Sequence, residues 1–195
     1  MLVDIPNEYL ENKSLLEIYS KSRDNFNYSN FALGYIIKDL GPYFIVKTID
    51  DYGFLDSYTI MLKKDISRLN PKSAYLDLFK YYIRYNKSID KFDPFNLALK
   101  FKDMPKDNLS NVLNYCYQNK KAINIYSDNS DYVKQGSILR FDKNNVILNE
   151  LQYSRNVGTN DVESNEKTKL SSIMAIDILS KENFLYDQYL KNKMN

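Results

Sequence analysis

Apolar positions in the first seventy residues gather into short runs rich in Ile, Val, Tyr, Phe and Leu: LLEIYS, FALGYIIKDL, YFIVKTID, SYTIML and DISRL. Clusters of Gly, Pro, Asp and Asn separate them, a pattern that predicts five short strands joined by tight turns. The pattern returns after residue 120 as AINIYS, VKQGSILRF, NVILNEL, a stretch near EKTKLSS, and SIMAIDIL. Elsewhere the spacing turns helical. SAYLDLFKYYIRY puts Leu76, Phe79 and Ile83 on one face, DNLSNVLNYCYQNK does the same with Leu109, Val112, Leu113 and Cys116, and ENFLYDQYLKN with Phe184, Leu185 and Tyr189. Residues 86–105 carry two conflicting signals. Asp93 before Pro94 marks a helix start, whereas Phe95, Leu97, Leu99 and Phe101 alternate with polar or small residues as in a half-buried strand. The polar segment QYSRNVGTNDVESNE predicts a long mobile loop.

The chain also repeats itself. NKSLLEIYS at 12–20 matches NKKAINIYS at 119–127, an offset of 107 residues. GYIIKDLGPYFIVKTI from Gly34 then meets GSILRFDKNNVILNEL from Gly136 at an offset of 102, and DISRL is answered by SIMAI. Three blocks in one order, with a period near 100 residues, predict a duplicated domain and not a solenoid. The expected division is a first strand unit with its helix at 1–85, a connector at 86–105 packing against one of the units, and a second strand unit with its helices at 106–195. Gly34 and Gly136 fall inside strand patterns, where glycine marks a bulge or sharp bend. The expected fold class is therefore α+β, mostly β: two tandem five-stranded small barrels, each with flanking amphipathic helices.

In GSILRFDKNNVILNEL, a strand glycine, Gly136, is followed by Asp142 in the next turn, then Asn145 and the apolar run Val146 to Leu148. This resembles the first signature of the Sm and Sm-like RNA-binding proteins, whose small barrel is SH3-like. The turn between Asp142 and Asn145 is one residue shorter than in that family. In the first copy Gly41, Pro42 and Tyr43 stand in the corresponding turn, and neither copy carries the family's second signature, a basic residue and glycine before the last strand. The resemblance covers roughly 14–70 and 121–180. It implies tandem Sm-like barrels and, through Asp142 and Asn145, a degenerate nucleotide site. Family members assemble rings from single barrels, whereas here two differing copies share one chain.

Composition narrows the chemistry. The 195 residues are 44% apolar and 27% charged, as in folded soluble proteins. No apolar run approaches the roughly 18–20 residues of a membrane span, and the N-terminus lacks the pattern of a signal peptide. A single cysteine, Cys116, excludes an intrachain disulfide and fits a reducing compartment. The expectation is a cytoplasmic, bacterial-type protein with no membrane partner. The absence of histidine removes the commonest general base, the Ser/His and Cys/His pairs and the usual zinc ligand. Eighteen tyrosines with no tryptophan, beside abundant Asn, Lys and Ile, fit the codon bias of an AT-rich genome.

Local candidates remain. Lys63, Lys64, Arg68, Lys72, Lys80 and Arg84 form the densest basic region, interleaved with Tyr75, Tyr81, Tyr82 and Tyr85, a mixture that single-stranded RNA binders use. A net charge of +2 and the acids Asp65 and Asp77 inside that stretch weigh against it. Asp50, Asp51 and Asp56 bracket DDYGFLD, which is better read as a turn than as a cation loop. Cys116 sits on an apolar helical face and reads as packing. Five scattered glycines supply no phosphate loop. No catalytic, metal or cofactor site is expected. The expected function is a non-enzymatic binding module with a protein partner, of a regulatory, immunity or host-interaction kind, using tyrosine-rich surfaces. The alternative is an RNA-binding regulator using the basic stretch with Asp142 and Asn145.

Overall fold

The strand runs pair into one sheet. The computed structural model describes residues 9, 14–22, 31–159 and 162–193. Strands β1 (Leu16–Ser20), β2 (Ala32–Leu40), β3 (Tyr43–Ile49), β4 (Leu55–Leu62) and β5 (Ile66–Asn70) precede helices α1 (Ala74–Ser88), α2 (Leu97–Lys102) and α3 (Leu109–Gln118). Then follow β6 (Ala122–Ser127), β7 (Lys134–Phe141), β8 (Asn145–Leu148), α4 (Glu150–Val157), β9 (Lys167–Lys169), β10 (Ile173–Ser180) and α5 (Lys181–Lys193). The protein is α+β and mostly β, with ten antiparallel strands in the order β5-β1-β2-β3-β4-β10-β6-β7-β8-β9. Two separate five-stranded barrels were the expectation, and an open sheet running through both halves replaces them. The reason is β4, whose outer edge pairs with β10 instead of closing on its own half.

Within this sheet the sequence repeat is also a repeat of register. Gly34 lies opposite Leu16, and Gly136 opposite Ile123. The β2–β3 ladder slips by one residue between Ile36 and Lys38, and the β7–β8 ladder slips between Ile138 and Arg140, the aligned positions. Ser20 pairs with Ile66 after a slip, as Ser127 pairs with Ile173. A 3-10 turn precedes the last strand of each half, at Lys63–Asp65 and at Leu170–Ser172. Both turns are tied by side chains: Ser22 donates to Asp65 in the first half, and Ser172 donates to Asn129 at 3.2 Å in the second. Because strand side chains alternate between faces, a one-residue slip would turn each strand inside out, so register is the property that burial holds most firmly.

The two strand glycines share a cause. A Cβ on Gly34 would lie 2.5 Å from the Lys47 carbonyl oxygen, and one on Gly136 would lie 2.8 Å from that of Asn149, its counterpart. They permit close approach of neighbouring backbones, and the bulges expected at the glycines lie a few residues further on.

One apolar core spans both halves, bringing Ile45, Leu55 and Ile60 together with Ile123, Ile125, Leu148 and Ile176. Helix α2 covers this core, with Leu97 and Phe101 buried and Phe101 stacked on Tyr58 at 3.9 Å between ring centroids. The connector therefore holds a helix, packed against β4 and β10 from both halves. The Asp93 carboxylate accepts from the Leu97 and Ala98 amides, each at 2.8 Å, and this cap prevails over the strand-like alternation, leaving Leu99 exposed. The predicted loop after β8 begins as helix α4 and ends at Gly158, whose φ of +80° closes it in the left-handed region. Leu76, Phe79 and Ile83 of α1 and Val112, Leu113 and Cys116 of α3 are buried as predicted. In α5 only Phe184 packs on the core, while Leu185 and Tyr189 are exposed.

Gly34→Ala and Gly136→Ala are each expected to lower stability by about 1–3 kcal/mol, because a backbone oxygen must move aside. Urea denaturation checks this. A midpoint that stays at the wild-type value in both variants would show that the glycines are not required by close approach.

Candidate site at the joint between the halves

The pairing of β4 with β10 leaves one face of both strands under α2 and turns the other toward a cavity of about 360 Å³. Its floor is a polar row assembled across three strands: Thr59 of β4 lies opposite Asp177 of β10, which lies opposite Asn124 of β6. The row is wired by hydroxyls. Thr48 and Ser57 share a hydrogen bond of 2.7 Å, Ser57 and Thr59 another of 2.7 Å, and Thr59 donates to Asp177 Oδ1 at 2.6 Å. Tyr126 donates to Asp177 Oδ2 at 3.0 Å. Asn124 is 3% exposed, its amide nitrogen donates to Glu182 at 3.3 Å, and its Oδ1 has no hydrogen-bond partner.

Carboxylates crowd one rim. Asp50 closes the β3–β4 turn by accepting from the Tyr52 and Phe54 amides through Oδ1, each at 2.9 Å, which is the turn role the sequence predicts. Its Oδ2 pairs with Lys181, which also reaches Asp56 at 3.3 Å. Burial pushes the Asp56 carboxyl above the usual range, against the pull of Lys181. Burial alone would lower Lys181, but its bonds to Asp50 and the charge of Asp56 hold the ammonium above its ordinary value. Phe31, Tyr75 and Phe79 add an aromatic part to the lining.

The residues singled out in the sequence lie elsewhere. Lys63 and Lys64 belong to the 3-10 turn before β5, Arg68 to β5, Lys72 to the loop before α1, and Lys80 and Arg84 to α1. Two of these charges are already matched, Lys63 by Asp39 at 2.7 Å and Lys80 by Asp77 at 2.9 Å. The Arg68 guanidinium stacks over Tyr19, 3.8 Å from the ring centre. Asp142 and Asn145 bound the β7–β8 turn, in the other half of the sheet, with seven strands between β5 and β8. Asp142 Oδ1 accepts from the Asn144 and Asn145 amides and from the Asn145 side chain, which holds its carboxyl below the usual range. Beside them Arg140, Phe141, Ile147 and Lys167 line a smaller recess of about 140 Å³. Cys116 is fully buried, and burial pushes its thiol up to about 12, so it is an inert core residue.

The sequence left one trace of the joint: Asp177 is the lone charge inside the apolar run SIMAIDIL. The aligned first-half position is Asn70, whose amide donates to the buried Glu17 at 2.7 Å. Acid and amide have exchanged places between the halves, Glu17 with Asn70 in one and Asn124 with Asp177 in the other.

A second buried ionic group lies at the base of α4. Glu150 is 2% exposed, 3.8 Å from the buried Lys134, which also pairs with Glu166 at 3.0 Å. Burial raises the Glu150 carboxyl to about 7, with the Lys134 charge pulling the other way. The folded state thus holds a proton that the unfolded chain releases near 4.5. This contribution to stability is full below about pH 4.5 and is lost as pH rises through 7, with a slope of at most about 1.4 kcal/mol per pH unit. Glu150→Gln is expected to flatten that slope in urea midpoints measured from pH 5 to 8. A variant whose profile parallels the wild type would remove Glu150 as the cause.

Among the described residues no group of three or more His, Cys, Asp or Glu is placed to hold a metal ion, and no helix is long and apolar enough to cross a membrane. No family model, curated protein or solved structure matches the chain.

Proposed function

We propose that the protein is a non-enzymatic binding module that docks a protein partner on the outer face of α1, and that its halves are divergent Sm-like units opened into a shared sheet. The single observation that carries the docking surface is that α1 is apolar on two opposite faces. Leu76, Phe79 and Ile83 are buried against Leu33 and Ile49, while Leu78, Tyr81 and Tyr85 are 45%, 56% and 55% exposed on the other side. An amphipathic helix that only packs needs one such stripe. Tyrosines supply large contact area with few rotatable bonds, and exposed apolar stripes of this kind mark interaction sites. Arg84 is exposed one residue before Tyr85, so the complementary partner presents an apolar surface with a carboxylate at its edge. The Sm-like reading is supported by the strand order shared by both halves, the paired glycines and bulges, and the 3-10 turn before each last strand.

A second reading, RNA binding, is favoured by the recess where Arg140 and Lys167 flank Phe141 beside Asp142 and Asn145. Cations next to a ring suit a nucleotide, although Asp142 and Asn145 already spend hydrogen bonds on each other.

The double variant Tyr81→Ser, Tyr85→Ser is expected to keep the wild-type urea midpoint and to lose partner capture from native lysate about 30-fold, the size of a hot-spot truncation. Capture that survives nuclease and depends on these tyrosines supports the docking face. Capture abolished by nuclease, steeply salt-dependent and unaffected by the tyrosine changes overturns it in favour of RNA.

A further inference from the structure

We infer that the partner seated on α1 is a second copy of this chain, its own α1 lying antiparallel across a twofold axis; the inference rests on the docking face proposed above. Ala74, Leu78, Tyr81 and Tyr85 are all exposed, and their spacing of four, three and four residues is that of the seam along which two helices interlock. Opposite its packed face the helix thus carries a pattern that a like helix completes. A second copy also presents what the docking face asks for, an apolar stripe with a carboxylate, Asp77, at its edge.

Charge decides direction and register. Asp77 and Arg84 are both exposed and lie seven residues apart, so they fall on the same flank of the seam, while Tyr75 and Tyr82 fall on the other. In a parallel pair each flank meets the opposite flank of the other helix, and acid and base would face tyrosines. In an antiparallel pair each flank meets its own kind. The register that sets Leu78 beside Tyr81 of the second copy, and Ala74 beside its Tyr85, brings Asp77 of each copy to Arg84 of the other, twice by symmetry. A shift of one heptad either way would oppose Arg84 with Arg84 or Asp77 with Asp77. Asp77 already pairs with Lys80 at 2.9 Å, but those side chains are 76% and 50% exposed, where an ion pair contributes little, and a carboxylate accepts more than one donor. Among the described residues no ion pair engages Arg84. One helix pair buries a small area, so the dimer is of micromolar strength.

Sedimentation equilibrium of the full chain across a micromolar concentration range tests this. The mass is expected to rise from one chain toward two, and the double variant Tyr81→Ser, Tyr85→Ser to hold it at one. Asp77→Arg and Arg84→Asp are each expected to weaken the dimer about tenfold or more, since each sets like charges opposite at two places. An equimolar mixture of these two variants is expected to recover wild-type association, because the acids of one then meet the bases of the other. A misfolded variant could not be rescued in this way. Recovery on mixing supports the antiparallel pair. A single-chain mass at every concentration overturns the self-pairing but leaves the α1 face standing where capture from lysate still depends on its tyrosines; loss of both removes the docking face itself. A dimer indifferent to the two charge variants, or variants that associate no better mixed than apart, overturns the arrangement.

Discussion

The pairing of β4 with β10 is the constraint on which the rest of the structure depends. Each of these strands ends its own half, and an unpaired strand edge is an open row of amides and carbonyls. Joining them satisfies both edges at once and makes the two most buried strands of the molecule out of two termini. It also settles the core. With a backbone ladder across the boundary, Ile60 and Ile176 fall under the same helix, and α2 packs on both halves instead of belonging to either. The free edges of the ten-stranded sheet are then β5 and β9.

Inside that frame the halves differ by exchange of side chains at fixed backbone positions. The aligned ladders keep their partners and their slips, because changing either would move apolar residues out of the core. Polar pairs were freer to trade. Glu17 with Asn70 became Asn124 with Asp177, and Ser22 with Asp65 became Asn129 with Ser172. In the first half the buried Glu17 accepts from Tyr19, Asn70 and Ser73; burial pushes its carboxyl up, and these bonds together hold it below the usual range. In the second half the acid moved to the strand that faces β4, and Thr59 from the first half became its donor. With the exchange, Asn124 has an unpartnered oxygen and lines the joint cavity together with Asp50, Asp51, Asp56, Asp177 and Glu182.

The acidic cavity and the tyrosine face of α1 are neighbours, since Tyr75 and Phe79 of that helix form the cavity's aromatic wall. Helix α1 is fixed at its start by Ser73, which accepts from the Leu76 amide and donates to Glu17 of β1. The exposed face of that helix carries Arg84, whereas Asp50, Asp51, Asp56, Asp177 and Glu182 line the cavity, so the two surfaces differ in charge.

Local pattern was enough to place nearly every strand, the buried faces of α1 and α3, and the repeat of strand pattern, because period-two and period-3.6 hydrophobicity are properties of neighbouring residues. It left the stretch from Asp93 to Lys102 undecided, where a carboxylate cap outweighs alternation, and missed the start of α4, where a polar segment still packs Tyr153. The outer stripe of α1 was readable as tyrosines but not as exposed. Least legible of all was the joint: Thr59 and Asp177 are far apart in the chain, and nothing local tells an edge strand which edge it will meet. Closed barrels and an open shared sheet bury the same alternating residues. Only the choice of partner for β4, made between distant backbone edges, decided between them and created the cavity in doing so.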